Sequence, residues 1–400
     1  MKPAGQVRLL VAGLIWPPET FLARLFRGLT AAGIQLSVAS SERPTDEWLA
    51  LPNFSWLPVR RSRGPKSLQT LETLVASCRA AFRSVNDLRY FSSRTKATND
   101  WSRLEQLQSW LPFVGHNWDV IYFPWNSGAI AHIPLFERAP SVVSCRGAQV
   151  NIAPHNPERA AIREGLRETF AKAAAVHCVS TAIRDEAKAY GLDPDKAVVI
   201  RPAVDPDYFH PLNGLPIDKG QFRIVTTGSL IWRKGYEYML AGLRQLVDRG
   251  IPAHLTIIGD GPERWRLLYT VHDLKLNSVV EICGQMHPEQ VRQRLQKADV
   301  FLLSSLSEGI SNAVLEGMAC GLPVVTSAVG GMAEAVTDGV EGFVVQARDP
   351  HVMAEALANI WYQPELRRTM GNAARARIIS DFRLDQQIEA FVTLFRGVAN

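Results

Sequence analysis

Cysteine is scarce and unpatterned in this 400-residue chain: Cys78, Cys145, Cys178, Cys283 and Cys320 are odd in number, and none forms a C-x-x-C pair. That excludes a disulfide framework and a thiolate zinc site, and it makes a reducing, cytoplasmic compartment the simplest expectation. The nine histidines include no H-x-x-x-H spacing; His132, His155 and His177 stand alone and read as structural. Long apolar runs are also missing, since none approaches the ~20 residues of a membrane-spanning helix. Val7–Trp16 comes nearest to the core of a signal peptide. Arg8 interrupts it, Pro17-Pro18 follows, and no small-residue cleavage site appears, so it reads as a first buried strand.

What is present fits two ordinary α/β domains, with 46% hydrophobic residues, 21% charged residues and 28 glycines. Charge is unevenly spread. Ten Lys/Arg and three Asp/Glu lie between Arg60 and Arg103, a local +7 against a chain total of +5, so the remainder sums to −2. Two readings stay open: an anionic neighbour, such as a membrane surface or a phosphorylated acceptor, or a solvated helical face. No nucleic-acid module accompanies the patch, and nucleic acid is not expected as a partner. Trp101, Trp110, Phe113 and Trp118 adjoin it. Aromatics among cations suit a lipid headgroup layer, and helix packing explains them equally well.

Short β-branched runs alternate with helical periods, the pattern of parallel α/β architecture. Strands are expected near 7–12, 35–39, 120–123, 141–145, 175–179 and 197–200, then near 223–227, 254–258, 279–283, 300–303, 324–326 and 342–345. The expected organisation is an N-terminal Rossmann-like domain over 1–204 with a basic helical insertion at about 60–116. A Pro/Asp/Gly-rich linker over 205–220, a second Rossmann-like domain over 221–382 and a terminal helix over 383–400, packing back on the first domain, complete it. Two doubly wound domains of this kind face a cleft at the carboxyl ends of their strands.

The chemistry concentrates in the second half. In SSLSEGISNAVLEGMACGLPVVTSAVGG, Glu308 falls on a loop after a strand and Glu316 on the helix that Ser311 or Asn312 begins. Each carboxylate can accept from vicinal hydroxyls, and the amides at Gly309, Ile310, Ser311 and Asn312 suit a phosphate or a sugar oxygen. In TGSLIWRKGY, Arg233 and Lys234 stand beside a helix start, placed to stabilise charge on a leaving diphosphate. IIGDGP puts Gly259 at another strand end, but its G-x-G lacks the position and third glycine of a dinucleotide fingerprint. The strings Asp193-Pro194-Asp195 and Asp205-Pro206-Asp207 read as turns rather than a metal pair.

These motifs, with VGGMAEAV and GVEGFVV after them and VSTAIRDEA and RPAVDPDYF before them, resemble glycosyltransferase family 4, the retaining group with the GT-B fold. Within it, the chain looks most like bacterial exopolysaccharide and colanic-acid-type transferases. The resemblance implies that Lys234 and Arg233 hold the donor diphosphate, Glu316 the ribose and Glu308 the transferred sugar. Gly228, Ser229 and Gly259 would complete the donor site. It also implies catalysis without bound metal or other cofactor, and a same-face displacement in which the leaving phosphate helps deprotonate the acceptor. Three positions depart from the pattern. Gly228-Ser229 stands where many relatives have Gly-Arg, and Arg146-Gly147 where many have His-Gly. Pro17-Pro18-Glu19-Thr20 replaces a glycine pair. Glu19, Thr20 and Arg146 are accordingly candidate acceptor or phosphate contacts, Arg146 as a cation and not as a base.

The expected function is transfer of a sugar from a nucleotide-diphosphate donor to a glycan or lipid-linked acceptor in bacterial polysaccharide synthesis. The enzyme would work in the cytoplasm or peripherally on the inner face of the membrane. A nucleotide-sugar epimerase or hydrolase of the same architecture, and a silent nucleotide-sugar-binding subunit, are the alternatives.

Overall fold

The computed structural model describes residues 6–59, 66–95, 102–159, 161–212 and 220–400. The chain separates into two compact units. The first comprises Met1–Cys178, Glu186–Val198 and Ile388–Asn400; the second comprises Val179–Asp185 and Val199–Gln387.

Seven strands form the first sheet: β1 (Arg8–Val11), β2 (Gln35–Ser40), β3 (Phe54–Pro58), β4 (Val120–Phe123), β5 (Ser141–Cys145), β6 (Ala175–Cys178) and β7 (Ala197–Val199). Their order is β3-β2-β1-β4-β5-β6-β7, and the pairings from β3 through β6 are parallel. β1, β4, β5 and β6 are almost wholly buried, which is why they read as continuous apolar runs. β3 was not anticipated. It is short, partly exposed and ends on Pro58, and a proline is tolerated at the edge of a sheet, where β3 lies.

The helix Leu384–Ala399 buries Phe391, Val392, Leu394 and Phe395. Phe391 and Phe395 pack on Tyr122 of β4 with centroids 5.9 and 5.3 Å away, and Phe391 lies 4.8 Å from His177 of β6. The C-terminal segment is thereby part of the first unit's core.

Between β3 and β4 the basic segment forms helices Lys66–Arg83, Val85–Arg94 and Arg103–Trp110. Residues 60–65 and 96–101, including Trp101, lie outside the described residues, as do 213–219 of the expected linker. Trp110 and Phe113 are buried, Phe91 packs on Trp110, and Trp118 stacks on His116. Packing therefore accounts for Trp110 and Phe113, which are not available to a headgroup layer, while Trp118 is half-buried. Asp193 and Asp205 each accept the amide two residues on, at 3.0 and 2.9 Å, so both D-x-D strings are turns.

The second sheet contains β8 (Phe222–Thr227), β9 (Ala253–Ile258), β10 (Val280–Gly284), β11 (Val300–Leu303), β12 (Val324–Ser327) and β13 (Gly342–Val345), all parallel in the order β10-β9-β8-β11-β12-β13. The helix Tyr236–Asp248 shows why the segments between strands are helical. Its buried Tyr236, Met239, Leu240, Leu243 and Leu246 recur at three- and four-residue steps and form one apolar stripe. Strand order reverses between β8 and β11, which pair directly at Ile224↔Val300 and Val225↔Phe301. Loops leaving the carboxyl ends of two such strands diverge to opposite faces and leave a crevice, the usual ligand position in open α/β sheets.

Candidate functional site

Both cationic and acidic motifs of the second unit arrive at that crevice. After β8 the chain runs through Gly228 and exposed Ser229 into a single helical turn, Trp232–Lys234, and then turns at Gly235 into the helix Tyr236–Asp248. Gly235 has φ +62°, and a Cβ there would fall 2.3 Å from the Ser304 carbonyl oxygen. Only glycine fits, because the conformation is left-handed and the neighbouring backbone is too close. The contact brings the β8 loop against the β11 loop. Leu306 N–H donates to Arg233 O at 2.7 Å, and Ser304 Oγ donates to Lys234 O at 3.0 Å.

The result is an ion pair between Lys234 Nζ and Glu308 Oε1, residues 74 apart in sequence, with only 15% and 14% of their side chains exposed. Ser305 Oγ donates to the same Glu308 oxygen at 2.8 Å. Tyr236 Oη donates to Gly228 O at 3.2 Å. Burial first, and the Glu308 charge second, push the Tyr236 phenol well above its ordinary pKa, so it stays a hydrogen-bond donor. Arg233 is half-buried beside Lys234 and has no side-chain partner among the described residues.

Glu308 leads through buried Gly309 and Ile310 to the helix Asn312–Ala319. Ser311 is its N-cap, yet the Ser311 side chain makes no capping bond. The first amides of a helix lack intrahelical partners, so this end offers bare donors. The Asn312 side-chain oxygen is buried without a hydrogen-bond partner among the described residues. Glu316 lies one turn further on, half-buried and carrying an interaction of its own.

Gly259 plays a supporting part. Its N–H donates to Gly284 O at 2.9 Å, tying the end of β9 to β10. Asp260 O accepts from Leu230 N–H and Leu230 O from Glu263 N–H, both at 3.0 Å, so the GDGP turn buttresses the β8 loop. Gly331 N–H donates to Gly309 O at 2.7 Å and pins the glycine pair under the Glu308 loop.

Sequence reasoning did not find Ser304, Ser305 or Tyr236, although Ser304-Ser305 stands directly at a strand end. It also left Glu334 without a role. The Glu334 carboxylate accepts from Ala182 N–H at 3.1 Å, at the start of the helix Thr181–Lys188, and from Arg201 Nη2 at 2.9 Å. Burial works to raise its pKa, but the Ala182 and Thr181 amides and Arg201 outweigh it and hold the carboxyl below the usual glutamate range.

Candidate residues of the first unit lie in a different setting. Glu19 and Thr20 are exposed at the start of the helix Thr20–Ala31, where the Glu19 side chain makes no cap. Arg146 follows β5. Its Nη2 donates to Tyr122 Oη at 2.9 Å, its Nε to Pro124 O at 3.2 Å, and its guanidinium lies 4.8 Å from the centre of the Phe21 ring. Tyr122 continues inward to Ser144 at 2.8 Å and Ser144 to His177 at 2.7 Å. His177 is therefore a satisfied core histidine, as its isolation in the sequence implied.

Two family models match the chain: the glycosyl transferase 4-like domain over residues 18–203 and the glycosyl transferases group 1 over residues 212–377. WcaL of Salmonella typhimurium, named for colanic acid biosynthesis, is 30% identical over 206 residues, 49% of this chain; the chain spans about half of that relative's length, 50%. Among solved structures, Anabaena HepE with UDP superposes with a TM-score of 0.70 at 16% identity, covering 98% of this chain and 100% of that one. Sucrose-phosphate synthase from Thermosynechococcus elongatus gives 0.74 at 17% identity, covering 98% of each. Likeness at these identities establishes the fold, which is GT-B.

Proposed function

Because this chain belongs to the glycosyltransferases, joining a 4-like domain to a group 1 domain, we propose that it transfers a sugar from a nucleotide-diphosphate donor to a glycan or lipid-linked acceptor in polysaccharide synthesis. The largely buried Lys234–Glu308 pair beside an uncapped helix start carries this reading. A cation and a carboxylate held a bond apart suit a ligand that is anionic on one side and hydroxylated on the other. A sugar diphosphate is such a ligand.

In this reading Lys234 and Arg233, with the amides of Gly309–Asn312, take the diphosphate, Glu308 orients the sugar hydroxyls and Glu316 the ribose. The bond between the anomeric carbon and the diphosphate oxygen breaks while the two cations and the helix end stabilise the departing charge. That departing oxygen accepts the acceptor hydroxyl's proton, and the acceptor oxygen bonds the anomeric carbon from the same face, so configuration is retained. Charge on the diphosphate is met by side chains, and the step asks for no metal ion. HepE was solved with UDP, which makes UDP-sugars the first donors to try. The local +7 supports an acceptor presented at an anionic membrane.

The test is turnover of a panel of nucleotide sugars by the full chain, with product configuration read by NMR and chelator present in one arm. A retained product, insensitive to chelator and strongly reduced in Glu308→Gln and Lys234→Ala, is expected. An inverted product, or full activity in both variants, would sink the reading. Donor consumed at the same rate without acceptor would favour a hydrolase.

A further inference from the structure

We propose that the outward face of the helix Lys66–Arg83 docks the protein on an anionic lipid bilayer. This helix is turned inside out by the standards of a globular protein. Its inward positions include Thr73 and Ala80, with Thr73 Oγ1 bonded to Gln108 of a neighbouring helix. Outward stand Leu71, Leu74, Val75, Cys78 and Phe82, with Leu74 59% and Phe82 94% exposed. At about 100° per residue these five share an arc of roughly 100°, a continuous stripe rather than scattered apolar residues. An apolar stripe of that kind marks a surface that something covers.

Charge identifies the cover. Arg79 and Arg83 are exposed along one flank of the stripe, and Arg89 and Arg103 are exposed on the two helices packed against this one. None of the four has a carboxylate partner among the described residues. The nearby acids are mostly committed: Asp87 to Arg138 at 2.8 Å and to Gly115 N–H at 2.9 Å, and Glu105 to Ser102 N–H at 2.7 Å. Glu72 alone remains exposed without a partner among those described. Cations bordering an apolar stripe match phosphate headgroups above acyl chains. A second copy of this chain is the competing cover, and its presence is read from the oligomeric state in the experiment below. The docking rests on the proposed membrane-borne acceptor for its purpose, but the chemistry that carries it is the helix's own.

The experiment is co-sedimentation of the full chain with vesicles of phosphatidylcholine alone and of phosphatidylcholine mixed with phosphatidylglycerol. Binding to the mixed vesicles only, weakening as salt rises, is expected. The double variant Leu74→Glu/Phe82→Glu should lose at least about tenfold in bound fraction, and Arg79→Glu/Arg83→Glu should lose the salt-sensitive part. Both should keep the wild-type thermal midpoint, because the residues are exposed. Phe82→Trp gives a readout that does not depend on disruption, since its emission should shift to the blue on mixed vesicles and not on neutral ones. Undiminished binding by the Leu74/Phe82 variant, or an unshifted Phe82→Trp emission, overturns the proposal. So does a dimer by light scattering that the Leu74/Phe82 variant dissolves. Donor turnover with a soluble acceptor, followed in parallel, separates the two readings. Lost vesicle binding with intact turnover removes the docking alone, and lost turnover with intact binding removes only the transferase.

Discussion

At the carboxyl ends of β8 and β11 the second unit brings Lys234 and Glu308 together over an uncapped helix start, with Arg233 beside them unpaired among the described residues. After β4 and β5 the first unit treats its arginine differently: Arg146 is tied to Tyr122, Pro124 and the face of Phe21. Both units are doubly wound sheets. The contrast teaches that a shared topology supplies the crevice, while commitment of charge decides what a crevice can bind. Arg146 is braced by contacts within its own unit, whereas Arg233 and the start of the helix Asn312–Ala319 stand without a side-chain partner among the described residues.

Four measurements would break or sharpen that contrast. The largest effect belongs to Lys234→Ala, expected to lower turnover by about 10²–10³-fold, the usual loss when one stabiliser of developing charge is removed. If Arg146→Lys cost as much, the distinction between the units would fail. Next comes Gly235→Ala. A Cβ 2.3 Å from the Ser304 oxygen, at φ +62°, should destabilise the second unit by about 1–3 kcal/mol, seen as a lower denaturation midpoint. An unchanged midpoint would mean that the two loops are not locked together.

Arg146→Lys keeps a cation but loses the fork that reaches Tyr122 Oη and Pro124 O together. It should cost about 1 kcal/mol of stability with donor affinity unchanged by calorimetry. The smallest effect concerns pH. Glu334 is held below the usual glutamate pKa when folded, so its contribution is present above the unfolded value and fades as pH falls through the folded one. Glu334→Gln should therefore narrow its stability gap to wild type as the solution is acidified from pH ~5 downward. A gap independent of pH would show that the carboxyl does not titrate with folding.

Much of this was legible beforehand. The strands at 120–123, 141–145, 300–303 and 342–345 fall where periodicity put them, and the other anticipated strand ends move by one residue. The motif residues Lys234 and Glu308 were identifiable as types at strand ends, which is where α/β sheets bind ligands. Their direct pairing was not, and neither was the bracing by Ser304, Ser305 and the GDGP turn. The terminal helix could be seen as amphipathic, but not that it lays Phe391 and Phe395 on Tyr122.

By itself, then, the sequence determined the alternation of strand and helix, the positions of caps and turns, and the chemical character of each loop. All of these are set within a window of a few residues by side-chain period and backbone preference. Tertiary structure alone decided who meets whom. Glu334 reaches an amide 152 residues earlier, and the helix Lys66–Arg83 turns Leu71 and Leu74 outward and Thr73 inward. Such choices follow from strand order and the packing of neighbouring elements, and a local pattern carries neither.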